Sequence, residues 1–386
     1  MKTTVFSIIS LTILILLFSC KDQPKVSDEA LIINENNNFK DTALVLENLI
    51  SDIKIVPLET NEQCLISYFH GHVGEKYIIA FEREKILLFS GTGKFISIIS
   101  QKGKGPNEFN YIDAWDVDED EKFLHFHDVG GNYISRYNLA EAQFEKNIPI
   151  EDKGGMSGIV TVNDTLLAVL RGGYANYENL YFYVSTSGRI TEGEKKKPLT
   201  HPGVWAGSSS VFKRSNDNSI FYQPFEGDTI FKINGRDKKT LLAMQLEDPV
   251  KTGNKTKGYH VGLMGQIGNE IFLSKSVYES EVSEKSAILR TTLDEKYLYD
   301  QDNHDIFKIS SLLYDELGLE FGSSFNFQSA EQLLINYQAT YFKDILEKNI
   351  EDSDIDEAQK SKLQQLNDKI SEGDNPILIT GKCKKS

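Results

Sequence analysis

The sequence predicts an all-β fold: a six-bladed β-propeller of four-stranded antiparallel blades, with a helical insertion in the last blade. Three observations predict it. A unit of short apolar strands and tight turns recurs at propeller spacing. A strand-like segment precedes the first full unit, and another ends the chain. The last unit is interrupted by two stretches of helical periodicity.

The unit is clearest at 101–148. After the loop QKGKGPNEFNY come AWDVD, a charged turn EDEK, FLHFHD, a glycine turn VGGN, YISRYNL, a turn AEA and QFEKNIPI. Four such strands make one small sheet, which cannot bury both faces alone and needs copies of itself. Aligning the first apolar residue after each charged turn finds them. Tyr77 follows GEK, Phe123 follows DEK, Leu166 follows ND, Ile220 follows NDNS and Ile271 follows GNE, at steps of 43 to 54 residues. That is the length of a four-stranded blade. Each copy offers a second turn and a further strand: KILLFSGTGKFISII, NYISRYNLAEAQF, NLYFYVSTSGRI, DTIFKINGRDKKTLLAM and SAILRTTLDEKYL. A β-sandwich followed by an unrelated domain would not give five such units in succession.

From the N-terminus, residues 1–19 begin with Lys2, run through VFSIISLTILILLF and end one residue before Cys20. A positive start, an apolar centre and a small residue before cysteine are the parts of an export signal. The apolar run is too short and wrongly flanked for a membrane span. LFSC resembles a bacterial lipobox, in which Cys20 is lipidated and becomes the first mature residue; a plain signal peptide or anchor helix with an incidental cysteine is the alternative. Acyl chains contribute roughly 0.8 kcal/mol per buried CH₂, so more than one tethers a soluble body durably. Lys21 and Asp22 resemble a surface-export signal of some Gram-negative lipoproteins. Residues 20–45 read as a flexible tether, and 46–386 as the propeller.

At the far end, SAEQLLINYQATYFKDILEKNI carries apolar residues at three- and four-residue spacing, with Ser329 and Gln332 as a capping box. DEAQKSKLQQLNDKIS is a second, more polar helix. The insertion spans 328–372, after which NPILITGKCKKS returns to strand. DIKIVPLET, at 52–60, is placed to pair in the blade that this last strand enters, closing the ring.

The chain has 386 residues, 40% hydrophobic and 11% aromatic, which suits one large repeat fold. Its 57 acidic and 42 basic residues give a net charge of −15, which argues against nucleic-acid binding. KKK at 195–197 reads as a solvated face. Cys64 and Cys383 lie at opposite ends of the repeats. They can meet and cross-link the ring, or remain two separate thiols.

The lipobox LFSC, the strand IKIVPLE, the loop GKGPNEF at 103–109, the blade DAWDVDEDEKFLHFHD and the late NPILITGK together resemble the six-bladed β-propeller lipoproteins related to the NHL-repeat family. The resemblance covers about residues 52–385. It implies a six-bladed ring in the bacterial envelope and little about chemistry.

Of the chemistry-bearing residues, Asp116, Asp118 and Asp120 invite a calcium-loop reading. The loop fails, because Glu121 and His127 stand where glycine and a bidentate glutamate are needed. His125 and His127, two apart on a strand, share a face, and His70 and His72 repeat the spacing one blade earlier; together they are the candidate metal ligands. No nucleophile elbow, Walker loop or dinucleotide fingerprint occurs, so no cofactor is implied beyond a divalent metal at those histidines. Propellers bind at the channel mouth through loops. Tyr111, Arg171, Tyr174, Tyr177, His201 and Trp205 are assigned to such loops, where aromatic rings beside arginine suit a sugar or peptide.

The expected function is a lipid-anchored envelope propeller, at the outer membrane on its periplasmic or surface face, that binds a glycan, a peptide or a partner envelope protein. The alternative is a lyase or hydrolase acting on polysaccharide or peptide, with its site in the axial channel.

Overall fold

The computed structural model describes residues 31–33, 39–129, 131–150, 155–171, 179–195, 211–215, 217, 219–224, 228–246, 250–253, 255–282, 287–329, 331–351 and 355–384. Its strands form antiparallel sheets that follow one another along the chain, and the fold is an all-β propeller. The register read from the charged turns holds. The strand that follows each charged turn begins at Tyr77, Phe123, Leu166, Ile220 and Glu270.

Five sheets are built on four antiparallel strands. They lie within 71–101, within 112–149, within 156–195, within 211–246, and in the pairing of Asn326–Ser329, Gln332–Tyr337 and Ile377–Cys383 with Ile50–Pro57. Between the last two of these in sequence, residues 250–322 supply six strands of a larger, seven-stranded sheet, whose seventh is Lys40–Val45. Five regular blades and one enlarged sheet therefore replace the six like blades expected. The enlarged sheet departs because Lys255–Ile267, Glu270–Val282 and Ala287–Asp300 run for 13, 13 and 14 residues. SAILRTTLDEKYL, read as a second turn and a further strand, lies in the single strand Ala287–Asp300 from its alanine onward. Its charges are paired within the sheet, Lys296 to Asp294 at 2.8 Å and Glu295 to Lys308 at 2.6 Å, which removes the need for a solvated turn.

Apolar side chains pack each sheet on the next. Leu124 and Phe126 meet Ile79 and Leu88 of the preceding sheet, whereas Ile134 and Ile148 meet Ile159 and Val169 of the following one. The sheet that holds the C-terminal strand packs through Leu334 and Leu378 on Val73 and Ile78, which joins the end of the chain to its beginning. Ile377–Cys383 pairs with Ile50–Pro57 as the sequence anticipates. Asn375 fastens the joint: it accepts from the Ile66 amide at 2.8 Å and donates to the Glu59 and Cys64 carbonyls at 2.7 and 2.8 Å.

Two sequence expectations need correction. Part of the assigned tether is strand: Leu31–Ile33 and Lys40–Val45 add in parallel to the outer edges of two successive sheets. Leu31–Ile33 is too short to stand out as a strand, Lys40–Val45 has no fully buried side chain to mark it, and each covers a sheet edge. The helical insertion is shorter than 328–372. Gln332–Tyr337 is a buried strand, and the helices are Ala339–Glu351 and Glu357–Asn367. The run LLIN has no periodicity that separates strand from helix. The capping box belongs to the second helix, where Asp356 accepts from the Gln359 amide at 2.7 Å, rather than to Ser329. Cys64 and Cys383 are both buried free thiols in different cores.

Candidate functional site

The first strand of each sheet is the innermost. Asp116 accepts from the Thr161 amide of the next sheet at 2.6 Å, and Lys213 donates to the Met264 and Phe327 carbonyls of two further sheets, both at 3.3 Å. Asp116, Thr161, Lys213 and Phe327 lie on the first strands of their sheets, and Met264 lies on Lys255–Ile267 of the enlarged sheet. We call the face on which first strands begin and second strands end the upper face.

Around the axis, toward the lower face, stands a polar group centred on Arg214. Its guanidinium donates to the Thr161 carbonyl and lies 3.6 Å from Asp116 and 3.7 Å from Glu119. Burial pushes the Asp116 carboxyl up to about 6, with Arg214 opposing the shift. Burial, helped by the Arg214 charge, drives His72 down to about 4. Burial, helped by the Arg136 and Arg214 charges, drives His125 down to about 3. Both imidazoles are therefore neutral at pH 7. Lys213 is pushed down to about 8 by burial and by the neighbouring Lys296. Lys213 and Arg214, adjacent on Val211–Arg214, point to opposite sides of the strand, so one reaches forward around the ring and the other back.

The upper face is different. The indole of Trp115, half-buried on its inner strand, donates to His70 Nε2 at 3.4 Å and stacks on Phe81, with centroids 4.7 Å apart and planes at 25°. Phe81 N–H donates to the His70 carbonyl at 2.8 Å, fixing the trio. Beside it, Tyr68 and Tyr111 are each 65% exposed, and the Val129 amide donates to the Tyr111 carbonyl. The helix Ala339–Glu351 carries Tyr341, 57% exposed, and the residue before it, Gln338, donates to the Ser67 carbonyl at 2.8 Å. Of nine large hydrophobic side chains exposed among the described residues, Leu65, Tyr68, Tyr111, Val129, Val250 and Tyr341 lie on this face. The helical pair rises from it, and so does the extra length of the enlarged sheet, since both insert where second strands end.

The lower face carries turns whose carboxylates are used internally. Asp118 accepts from the Lys122 and Phe123 amides at 2.7 and 2.8 Å, and Glu121 from the Lys76 and Tyr77 amides of the preceding sheet at 2.8 and 2.7 Å. The DVDED acids thus serve turns and sheet contacts.

Of the residues singled out from sequence, Tyr111 lies exposed in the loop before the strand Ile112–Val117, on the upper face. Arg171 does not lie in a loop: it ends a second strand, is 4% exposed, and its guanidinium sits 5.1 Å from the Phe182 ring centroid. Its strand was read one residue too short. Cys20, Tyr174, Tyr177, His201 and Trp205 lie outside the described residues.

The four histidines do not gather. His127 holds Asp113 at 2.6 Å and the Gly131 carbonyl at 3.3 Å, His125 meets Thr161 Oγ1 at 3.2 Å, His70 belongs to the aromatic trio, and His72 faces the Arg214 charge. Among the described residues no group of three or more His, Cys, Asp or Glu is placed to hold a metal ion. Sequence reasoning passed over Lys213, Arg214, Trp115 and Tyr68. The signal for the two cations was their place in VFKR, immediately before the turn NDNS, which puts them on a first strand.

Residues 30–382 match the model of a family described as a domain of unknown function, DUF4934. No curated protein matches the chain. Among solved structures it is similar to a Bacteroides fragilis protein whose name calls it exported, at 15% identity and a TM-score of 0.62, over 92% of this chain and 100% of that one. It is also similar to a member of the DUF4221 family from Bacteroides vulgatus, at 11% identity and a TM-score of 0.49, over 88% of this chain and 98% of that one. The first likeness shows the propeller fold.

Proposed function

We propose that the chain, which belongs to the DUF4934 family, is a lipid-anchored envelope propeller that binds a partner on its upper face. The observation that carries this is the asymmetry of the ring. The helical pair, the long strands and six of the nine large hydrophobics exposed among the described residues are on one face. The turns described above on the other are closed by their own carboxylates. Exposed apolar groups gathered on one surface mark an interaction site.

Export and lipidation rest on Lys2, the apolar run and LFSC, and placement at the outer membrane on Lys21 and Asp22. In this reading the enlarged sheet takes the sixth position of the ring, in keeping with the repeat spacing and the likeness to NHL-related lipoproteins.

Two experiments test it. Cys20→Ser should abolish incorporation of labelled fatty acid in cells; unchanged labelling contradicts the anchor. Envelope components captured by the mature chain should be lost from the double variant Tyr68→Ala, Tyr111→Ala and kept by Glu119→Ala on the lower face. Capture that survives the first and fails in the second contradicts the assignment of the face.

A further inference from the structure

We infer that the aromatic strip on the upper face, running from Tyr341 through Tyr68 and the His70, Phe81, Trp115 trio to Tyr111, takes a neutral polysaccharide chain. This rests on the reading of the upper face as the binding face and names its ligand.

The argument is one of shape and charge. Tyrosine and tryptophan present a flat apolar face with one polar handle. A pyranose ring offers the complement, a face of C–H groups rimmed by hydroxyls. The three exposed tyrosines stand on separate elements that precede or follow strands of three consecutive sheets. Separated platforms along an arc fit a ligand that repeats, as a polymer of sugars does, better than one compact molecule.

Three ionic groups beside the aromatic rings are already engaged. Asp128 accepts from the Asn110 and Tyr111 amides at 3.0 and 2.6 Å, Glu82 from the Ser67 amide at 2.6 Å, and Lys85 donates to the Gln63 carbonyl. Alongside them the strip offers a ligand aromatic surface, hydroxyls and the imidazole of His70, which partial burial pushes below its ordinary value. The chain's charge of −15 disfavours sulfated or uronate-rich polymers further. A neutral chain has no such penalty.

The test is affinity electrophoresis of the mature chain, residues 20–386, in gels holding β-1,3-glucan, α-mannan, β-1,4-galactan, starch or the anionic alginate. At least one neutral polymer should retard the protein, and alginate should not. Tyr68→Ala and Tyr111→Ala, both at exposed positions, should each weaken that retardation by about fivefold to tenfold, the loss of one stacked ring. Retardation by none of the neutral polymers, or equal retardation of both variants, overturns the inference. If the variants lose capture of an envelope protein while no polymer retards the parent, the glycan assignment falls and the face assignment stands. If the variants change neither, both fall.

Discussion

Arg214 joins inner strands of separate sheets, and the groups around it make the ring sensitive to pH. Asp116, held up near 6, binds its proton more tightly in the folded chain than in the unfolded one. Alone it would make stability fall as pH rises toward 6. His72 and His125, held down near 4 and 3, act in the opposite sense: the unfolded chain takes up their protons first, so stability is lost as pH falls below their ordinary value of 6.5. Two imidazoles outweigh one carboxyl, so this cluster should lower the melting temperature between pH 6.5 and pH 4. His72→Gln and His125→Gln should each flatten that slope in a thermal melt recorded as a function of pH; a slope unchanged in both contradicts the cluster's role. Little of this was legible in the sequence, where the place of Lys213 and Arg214 before a turn gives their strand but not their partners. A charged pair such as Lys213 and Arg214 reads as a solvated strand face, and only the arrangement of the sheets turns an inner strand toward its neighbours. Conversely, Asp116 and Asp118 look like ligands until their partners are known to be the Arg214 guanidinium and backbone amides.

At the scale of elements, the hairpin turns show why the repeats were readable. SGTGK and STSGR make the same turn two sheets apart. Gly93 and Gly188, at φ of 82° and 88°, each donate to the serine three residues back, at 2.9 and 2.8 Å. Glycine adopts that backbone region at no steric cost, so its position in the sequence marks the turn. The closing joint was legible for the same reason, as two apolar strands left over at either end. What could not be read was a buried run such as Leu333–Ile335, where burial on both faces erases the alternation that identifies a strand. The joint also gives a measurable expectation. Asn375→Ala removes three hydrogen bonds at a side chain 2% exposed, leaving the Ile66 amide and two carbonyls without it. It should cost about 3 kcal/mol in urea unfolding, taking about 1 kcal/mol for each bond. A loss under about 0.5 kcal/mol would mean that the clasp is not needed. The outer strands Leu31–Ile33 and Lys40–Val45 predict a second effect. A chain started at Leu46 should expose two sheet edges and self-associate in sedimentation, where the longer chain stays monodisperse. Equal behaviour would show that the edges need no cover.

For the whole molecule, repetition fixes the architecture, and departures from repetition point to function. The regular sheets hold the ring. The helical pair, the extended strands and the exposed tyrosines break the pattern, and they do so on one face. The sequence could reveal the regular part because turns and strands recur. It could not reveal the shared face, because Tyr68, Trp115 and Tyr341 are far apart in the chain and meet only once the sheets are arranged about an axis. The most direct measurement is hydrogen exchange of the mature chain with and without the polysaccharide that retards it. Slowed exchange at 65–70, 109–115 and 129, with the turns at 74–76 and 119–122 unchanged, is the result expected. Slowed exchange confined to those lower turns, or none on either face, would contradict the account.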